Sequence, residues 1–364
     1  MALLGLLSAF GGTIFGLLLG ALPGVHPNLL ALLPLPNQAL FSLVLAALFS
    51  SILPALLMAP SADLAAVLLP GQAMVHQGKM GDAVAEFAGG ALLGVALFII
   101  LLPLYPYLLN LPQIFSRCFW LPLIIFATIP VLRSGHKKWA LIFFLLSGFY
   151  GGLILKLPYT SEQILMAHFG GMFGLAGLLR AGRMVGQQVK PPHPRFNLAS
   201  SLVGTLGGLL ISLFPAISPA QASAITFSLL GKPENQLAAA GATATSAFLF
   251  CFLSLKHLAK ARSAAVQRLG VLQLDLLLPV ALLAWLVLLK LAPLLARQLG
   301  RHDLRTPMAL LLLAVTLVVA REASWLVLPS FLLGTWCSNR KVEKVNLMGS
   351  LMVPTIFWYL LGGH

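Results

Sequence analysis

The sequence predicts an all-α fold: a polytopic integral membrane protein of about 10–12 transmembrane helices in two related halves, each with a Pro/Gly-broken helix near the membrane midplane. Three observations predict it. Of 364 residues, 59% are hydrophobic and only 9% charged, against about a quarter charged in a soluble domain. Apolar stretches of roughly 20 residues, each long enough as a helix to cross a ~30 Å hydrocarbon layer, recur along the whole chain. A glycine–proline pattern near the start returns in the second half.

In order, the apolar stretches fall at residues 1–22, 39–59, 83–104, 117–133, 139–155 and 164–180, then 198–215, 236–255, 270–292, 306–320, 323–337 and 347–361. The first begins MALLGLLSAFGG, with no basic region ahead of it, and reads as a membrane helix rather than a cleaved signal peptide. Strand-like alternation is absent, which disfavours a β-barrel. The glycine runs at 89–94 and 170–177 read as helix-packing surfaces. Cys118, Cys251 and Cys337 lie in apolar segments without paired spacing, as small fillers and not as a disulfide framework or metal site.

The net charge of +14 comes from basic clusters at Arg133–His136–Lys137–Lys138, Arg180–Arg183–Lys190–Arg195 and Lys256–Lys260–Arg262–Arg268. None is interleaved with aromatics, so they read as loops held against membrane lipid, with no nucleic-acid partner. The expected location is the cell (cytoplasmic) membrane, multi-pass.

Residues 12–27 read GTIFGLLLGALPGVHP and residues 204–219 read GTLGGLLISLFPAISP. An offset of 215 − 23 = 192 aligns Gly12, Thr13, Gly16, Pro23 and Pro27 with Gly204, Thr205, Gly208, Pro215 and Pro219. The expected organisation is therefore an N-terminal repeat over 1–185, a polar linker over 186–197 and a C-terminal repeat over 198–364. Proline lacks an amide hydrogen and clashes with the preceding helical turn, so Gly20, Pro23 and Pro215 mark helix breaks. Inside a bilayer a break is tolerated only where it is packed in protein or lines a wet cavity. The helices starting after Pro27 and Pro219 are expected to offer free amides and a positive dipole end to an anion.

Substrate-binding candidates follow from these breaks: Gly24, His26, Pro27 and Asn28 at the first, and Ala216, Ser218, Pro219, Gln221 and Ser223 at the second. Glycine lets a ligand approach the backbone, while histidine, asparagine, glutamine and serine supply hydrogen bonds. Asp63 and the hydroxyl cluster Thr243, Thr245 and Ser246 are candidates for ion coupling, since hydroxyls and freed carbonyls can hold sodium. For each, ordinary helix capping or packing is the competing reading. Asp275 lies several residues into an apolar stretch, where an ionisable group is expensive. No cofactor or metal site is expected beyond a bound Na+ or H+ as coupling ion.

The pattern at Gly16–Pro27 resembles the signature of the tripartite tricarboxylate transporter large membrane subunit, the TctA family. Three further stretches fit in order: PSADLAAVLLPGQAMVHQGKMGDAVA at 60–85, FPAISPAQASA at 214–224 and GATATSAFLFCFLSLKHLAKARSAA at 241–265. The chain is shorter than the usual bacterial subunit and looks nearer the compact archaeal-type relatives. Ala216 and Ser218 stand where the second signature has glycine, His26 replaces a small residue in the first, and Ser246 stands where an acidic or amide residue is usual.

The resemblance implies a cation-driven symport permease for small organic anions such as di- and tricarboxylates, working with a small membrane subunit and an extracytoplasmic binding protein. It leaves the oligomeric state open, with a homodimer among the options. The alternative is a lipid-phosphate (polyprenyl phosphate) carrier or flippase, because helix-start amides bind phosphate equally well. A membrane-embedded enzyme is a distant third, since spaced catalytic motifs are absent. Placing all three basic clusters inside requires 198–231 to cross the membrane once; a re-entrant hairpin there puts Lys256–Arg268 outside but makes the halves inverted.

Overall fold

In hydrocarbon a chain must satisfy its own amides and carbonyls, and helix is the local solution. The computed structural model describes residues 2–22, 25, 27–57, 62–108, 119–179, 192–260, 263–301 and 305–361, with no strand among them. The helices are α1 (Ala2–Gly20), α2 (Pro27–Leu30), α3 (Asn37–Ser50), α4 (Ile52–Leu57), α5 (Leu68–His76), α6 (Met80–Leu101), α7 (Tyr105–Leu108), α8 (Trp120–Arg133), α9 (Lys137–Ile154) and α10 (Ser161–Phe169). There follow α11 (Ala176–Leu178), α12 (Leu198–Leu213), α13 (Pro219–Phe227), α14 (Pro233–Leu258), α15 (Ala264–Leu269), α16 (Leu274–Arg301), α17 (Arg305–Ala320), α18 (Val327–Asn339) and α19 (Gly349–Leu360). Short 3₁₀ segments occupy Ala62–Val67, Arg321–Leu326 and Lys344–Met348, and a π-helical turn occupies Gly170–Leu175.

Six stretches among the described residues are long and apolar enough to cross a membrane: Asn37–Leu56, Met80–Leu108, Lys137–Ile154, Pro233–Leu258, Leu274–Leu294 and Arg305–Asn339. The last doubles back at its 3₁₀ segment, because Thr316 lies against Gly170 while Val327 lies against Gly171. Burial divides the six sharply. The α3–α4 and α14 spans are 94% buried, the others between 33% and 44%, so α3 and α14 are the central posts.

Helix α12 runs parallel to α14. Asn197, which caps α12, donates to Asn235 in the first turn of α14 at 2.8 Å, and Gly204 lies against the Ala239 carbonyl. The next leg, α13, returns alongside α12: Gly207 faces both Ala222 and Thr226, and Gln236 Nε2 donates to the Leu230 carbonyl at 2.9 Å. Residues 198–232 therefore form a helical hairpin with its tip at 214–218, not a single crossing. The same relation holds between α1 and α3, with Gly5 against Gln38, Gly12 against Ala39 and Gly20 against Ala47. Residues 21–36 thus bring the chain back to where α1 began. Length alone had counted 1–22 and 198–215 as spans; each is the outgoing leg of a hairpin.

The two hairpins enter from opposite ends. Gly90 lies against Ala238 and Gly94 against Ala242, so α6 runs parallel to α14. Phe41, near the start of α3, instead packs on Phe248 and Phe252 near the end of α14, and α3 leads back towards the start of α6. Helix α3, and α1 with it, is therefore antiparallel to α14. On the side where α14 begins, Arg195 pairs with Asp82 at 3.1 Å and Glu86 at 3.4 Å, clamping the approach to α12 onto α6.

Close backbone contact through glycine is what lets these helices interlock, since lipid supplies no hydrophobic drive between them. A Cβ on Gly90 would overlap the Ala238 carbonyl, whereas one on Gly11 meets nothing within 4 Å. Gly90→Val is expected to lower stability by about 1–3 kcal/mol, read as earlier thermal unfolding in detergent. Gly11→Ala should melt no earlier than the parent, with a gain of up to about 1 kcal/mol from reduced unfolded-state entropy.

Candidate functional site

At the second tip, the residue before a proline is pushed out of the α region, and Phe214 accordingly ends α12 with φ −106° and ψ 138°. Ala216 then adopts a left-handed conformation, φ 58°. Ser218 caps α13: its Oγ accepts from Gln221 N at 3.3 Å, while its own N–H donates to Gln221 Oε1 at 3.0 Å. Ala222 N donates to the Ser218 carbonyl at 3.0 Å, and Pro219 at the first helical position has no N–H. The expectation of a helix start rich in free amides is corrected here. The capping box takes one donor and proline removes another, leaving the Ala220 amide.

Around this tip Gln221 and Ser223 are buried. Gln221 Nε2 contacts Met352 Sδ of α19, and the Ser223 carbonyl accepts from Thr226 Oγ1 at 3.0 Å. Phe214 meets Phe119 and Phe126 edge-on, and Tyr105 OH reaches Ser212 Oγ at 3.5 Å. The break is wrapped in protein.

At the first tip α1 ends at Gly20, pressed on the Ala47 carbonyl and Ser50 Oγ. Pro23, Gly24 and His26 lie outside the described residues, and of Pro27 only its place at the start of α2 is described. Asn28 Oδ1 accepts from Ser263 Oγ at 2.7 Å and from Ala265 N at 3.4 Å. The returning leg of one hairpin thereby holds the start of α15, which follows the central post of the other half. The converse contact is also made: α13 packs on the 62–67 segment, which follows α3–α4. Asp63 belongs to that segment; its side chain lies outside the described residues.

The hydroxyl cluster sits in the interior of α14, fully buried. Thr243 Oγ1 donates to the Gly204 and Ala239 carbonyls, both at 2.9 Å, and Thr245 Oγ1 to Ala91 at 2.9 Å and Gly241 at 3.2 Å. Ser246 Oγ donates to the Ala242 carbonyl at 2.6 Å. Thr243 and Thr245 pin α14 to α12 and α6. Asp275 lies in the first turn of α16 and is exposed.

Sequence reasoning missed Lys344. The residue is 7% exposed, and its ammonium donates to the Phe173 carbonyl in the π-helical turn at 3.3 Å. The 344–348 segment packs on both the 62–67 segment and α13, so a buried cation stands where the polar loop meets the second hairpin. Nearby, Arg133 donates to the Ala224 carbonyl of α13 at 2.9 Å. Burial pushes the Glu343 carboxyl pKa up, opposed by the Arg133 charge. The available signal was Lys344 in RKVEKVNLMGS, the last charge before an apolar run.

Two substitutions test the tip. Ala216→Gly removes a left-handed penalty of about 1–2 kcal/mol, less about 0.4–1 kcal/mol of added unfolded-state entropy, so a small rise in thermal stability is expected. Ser218→Ala should lower stability by about 1 kcal/mol through loss of the cap.

The sequence is 24% identical to an uncharacterised protein of Methanocaldococcus jannaschii, across 99% of this chain and 100% of that one. No solved structure matches. The family described as "Tripartite tricarboxylate transporter TctA family" matches residues 6–274, a stretch holding both hairpins, the polar loop and both central posts. The chain belongs to the tripartite tricarboxylate transporter TctA family.

Proposed function

We propose that this multi-pass transporter component is a secondary active permease for small organic anions, di- or tricarboxylates, held between the two hairpin tips. The observation that carries this reading is the pair of hairpins entering from opposite ends, each braced by the polar segment of the other half. Such a pair makes two gates around one site, as alternating access requires. The amide of Ala220 and the buried Gln221 are the hydrogen-bonding groups of the second tip, Asn28 belongs to the first, and Lys344 supplies positive charge.

The two-repeat reading draws support from equivalent contacts. Gly12 and Gly204, aligned by the 192-residue offset, press on the carbonyls of Ala39 and Ala239 in the two central posts. Orientation follows from charge. Lys79, Arg133, Lys137, Lys138, Arg195 and Lys232 lie towards the side where α14 begins, against Lys156, Lys256, Lys260 and Arg268 on the other. The positive-inside rule makes the mouth of the second hairpin cytoplasmic, in the cell membrane. The first hairpin then opens outward, where a binding protein of the tripartite system would deliver substrate. A small membrane subunit completes that system.

Proteoliposomes loaded with imposed Na+ and pH gradients test the reading with labelled succinate and citrate. Saturable uptake is expected. Lys344→Met should reduce it about 10- to 100-fold, the loss of a charge-assisted hydrogen bond worth about 1.5–3 kcal/mol, with the protein still inserted and monodisperse. Transbilayer movement of a polyprenyl phosphate, with no carboxylate uptake, would replace this reading by the lipid-phosphate one.

A further inference from the structure

We infer that the junction of the 344–348 segment with α19 is a sodium site built on Asn346 Oδ1 and Ser350 Oγ, an inference that rests on the transport reading only for its role as coupling site. Both residues are buried, at 1% and 0% exposure, and both oxygens lack a hydrogen-bond partner. Native interiors rarely leave such atoms unmet, and an unmodified carbonyl oxygen can be met only by a donor or a cation. The amide orientation is fixed by chemistry: Asn346 Nδ2 donates to the Glu343 carbonyl at 3.1 Å, and turning the amide over would set two oxygens against each other. Oδ1 therefore points away from that bond with nothing to accept.

Asn346 and Ser350 are four residues apart on a chain that stays helical from 344 into α19, so they share a face. Glycine brings more oxygen close by. Gly349 lies against the Phe144 carbonyl and Ser147 Oγ of α9, and Gly151 lies against the Ser350 carbonyl. Ser147 gives its proton to the Phe144 carbonyl at 3.0 Å, leaving its lone pairs available. Lys344 does not occupy this face: with three residues per 3₁₀ turn, positions 344 and 346 diverge, and its ammonium is directed to the Phe173 carbonyl. The two orphan oxygens are neutral, which suits a monovalent hard cation better than Ca²⁺ or Mg²⁺, whose sites use carboxylates.

The site is also placed to couple. The 344–348 segment packs on α13 and on the 62–67 segment, so an ion there biases the second hairpin. It would share with Lys344 the neutralisation of a multiply charged anion. By contrast, the hydroxyls of Thr243, Thr245 and Ser246 are already directed to backbone carbonyls.

The test uses the purified full-length protein, thermal unfolding in NaCl against choline chloride and KCl at equal ionic strength, and ²²Na+ binding by scintillation proximity. Wild type should show a saturable, Na+-specific rise in melting temperature. Asn346→Ala and Ser350→Ala should raise the half-saturating Na+ concentration at least tenfold, with little change in choline. Ser350→Thr, which keeps the hydroxyl oxygen, should retain the response and guards against misreading a packing defect. No Na+-specific shift in wild type, or an unchanged Na+ response in both alanine variants, overturns the site; a structural water at these atoms gives that result. Carboxylate uptake that needs no Na+ removes the coupling role and leaves the permease reading intact, whereas Na+ binding without carboxylate uptake keeps the site and removes the permease reading.

Discussion

Every feature of this molecule answers one constraint: a chain that interrupts its helices within the hydrophobic layer must hide the interruption. The hiding is done by α3 and α14, which carry the two most buried of the six long apolar stretches among the described residues. Glycines on α1 and α12 let each hairpin settle onto its post at backbone distance, where a single methyl group would collide with a carbonyl. Hydroxyls from Thr243 and Thr245, both fully buried, then bridge between helices. Because α3 and α14 run in opposite directions, hairpins parallel to their own posts open to opposite sides. Two-sidedness is thus a consequence of packing.

The breaks themselves were legible because proline and glycine have local effects that burial does not override. Phe214 leaves the helix for the reason its neighbour Pro215 dictates, and the capping box of Ser218 with Gln221 could be read from the S-P-A-Q spelling. What was illegible is where the chain goes next. A run such as 198–231 suits one crossing or an out-and-back hairpin equally well, and it takes tertiary contacts such as Gly207 with Ala222 and Thr226 to separate them. The depth of Asp275 was open because hydropathy does not mark where a helix begins; α16 starts one residue before it, at Leu274. Lys344 was invisible for a related reason. A 3₁₀ turn that carries a lysine into the interior has no period of its own in the sequence.

Charge explains the tension over topology. Counting all three basic clusters on one side asks for a single crossing at 198–231, and the hairpin refuses it, sending Lys256, Lys260 and Arg268 to the opposite side. The remaining bias still favours the side that carries Lys137, Lys138 and Arg195. Orientation rules count lysines and arginines near span ends and work as a sum. One cluster on the wrong side is a cost that a tightly packed hairpin can outweigh.

The second tip argues against a site made of backbone amides alone. Its capping box satisfies Gln221 N, the proline at position 219 has no proton to offer, and Ala222 N already has the Ser218 carbonyl. A lone remaining amide with a helix dipole is worth about 0.3–1 kcal/mol to an anion at an exposed terminus, and at most ~2 kcal/mol when partly buried. Moving a dicarboxylate out of water costs far more than that. Full charges have to make up the difference, and the two available means are a basic side chain and a co-bound cation. The buried ammonium of Lys344 lies in the segment that packs on α13, and two residues further on Asn346 presents an acceptor with nothing to accept. A transporter arranged this way would bind its anion weakly without the cation and the cation weakly without the anion. That mutual dependence is what couples their movement.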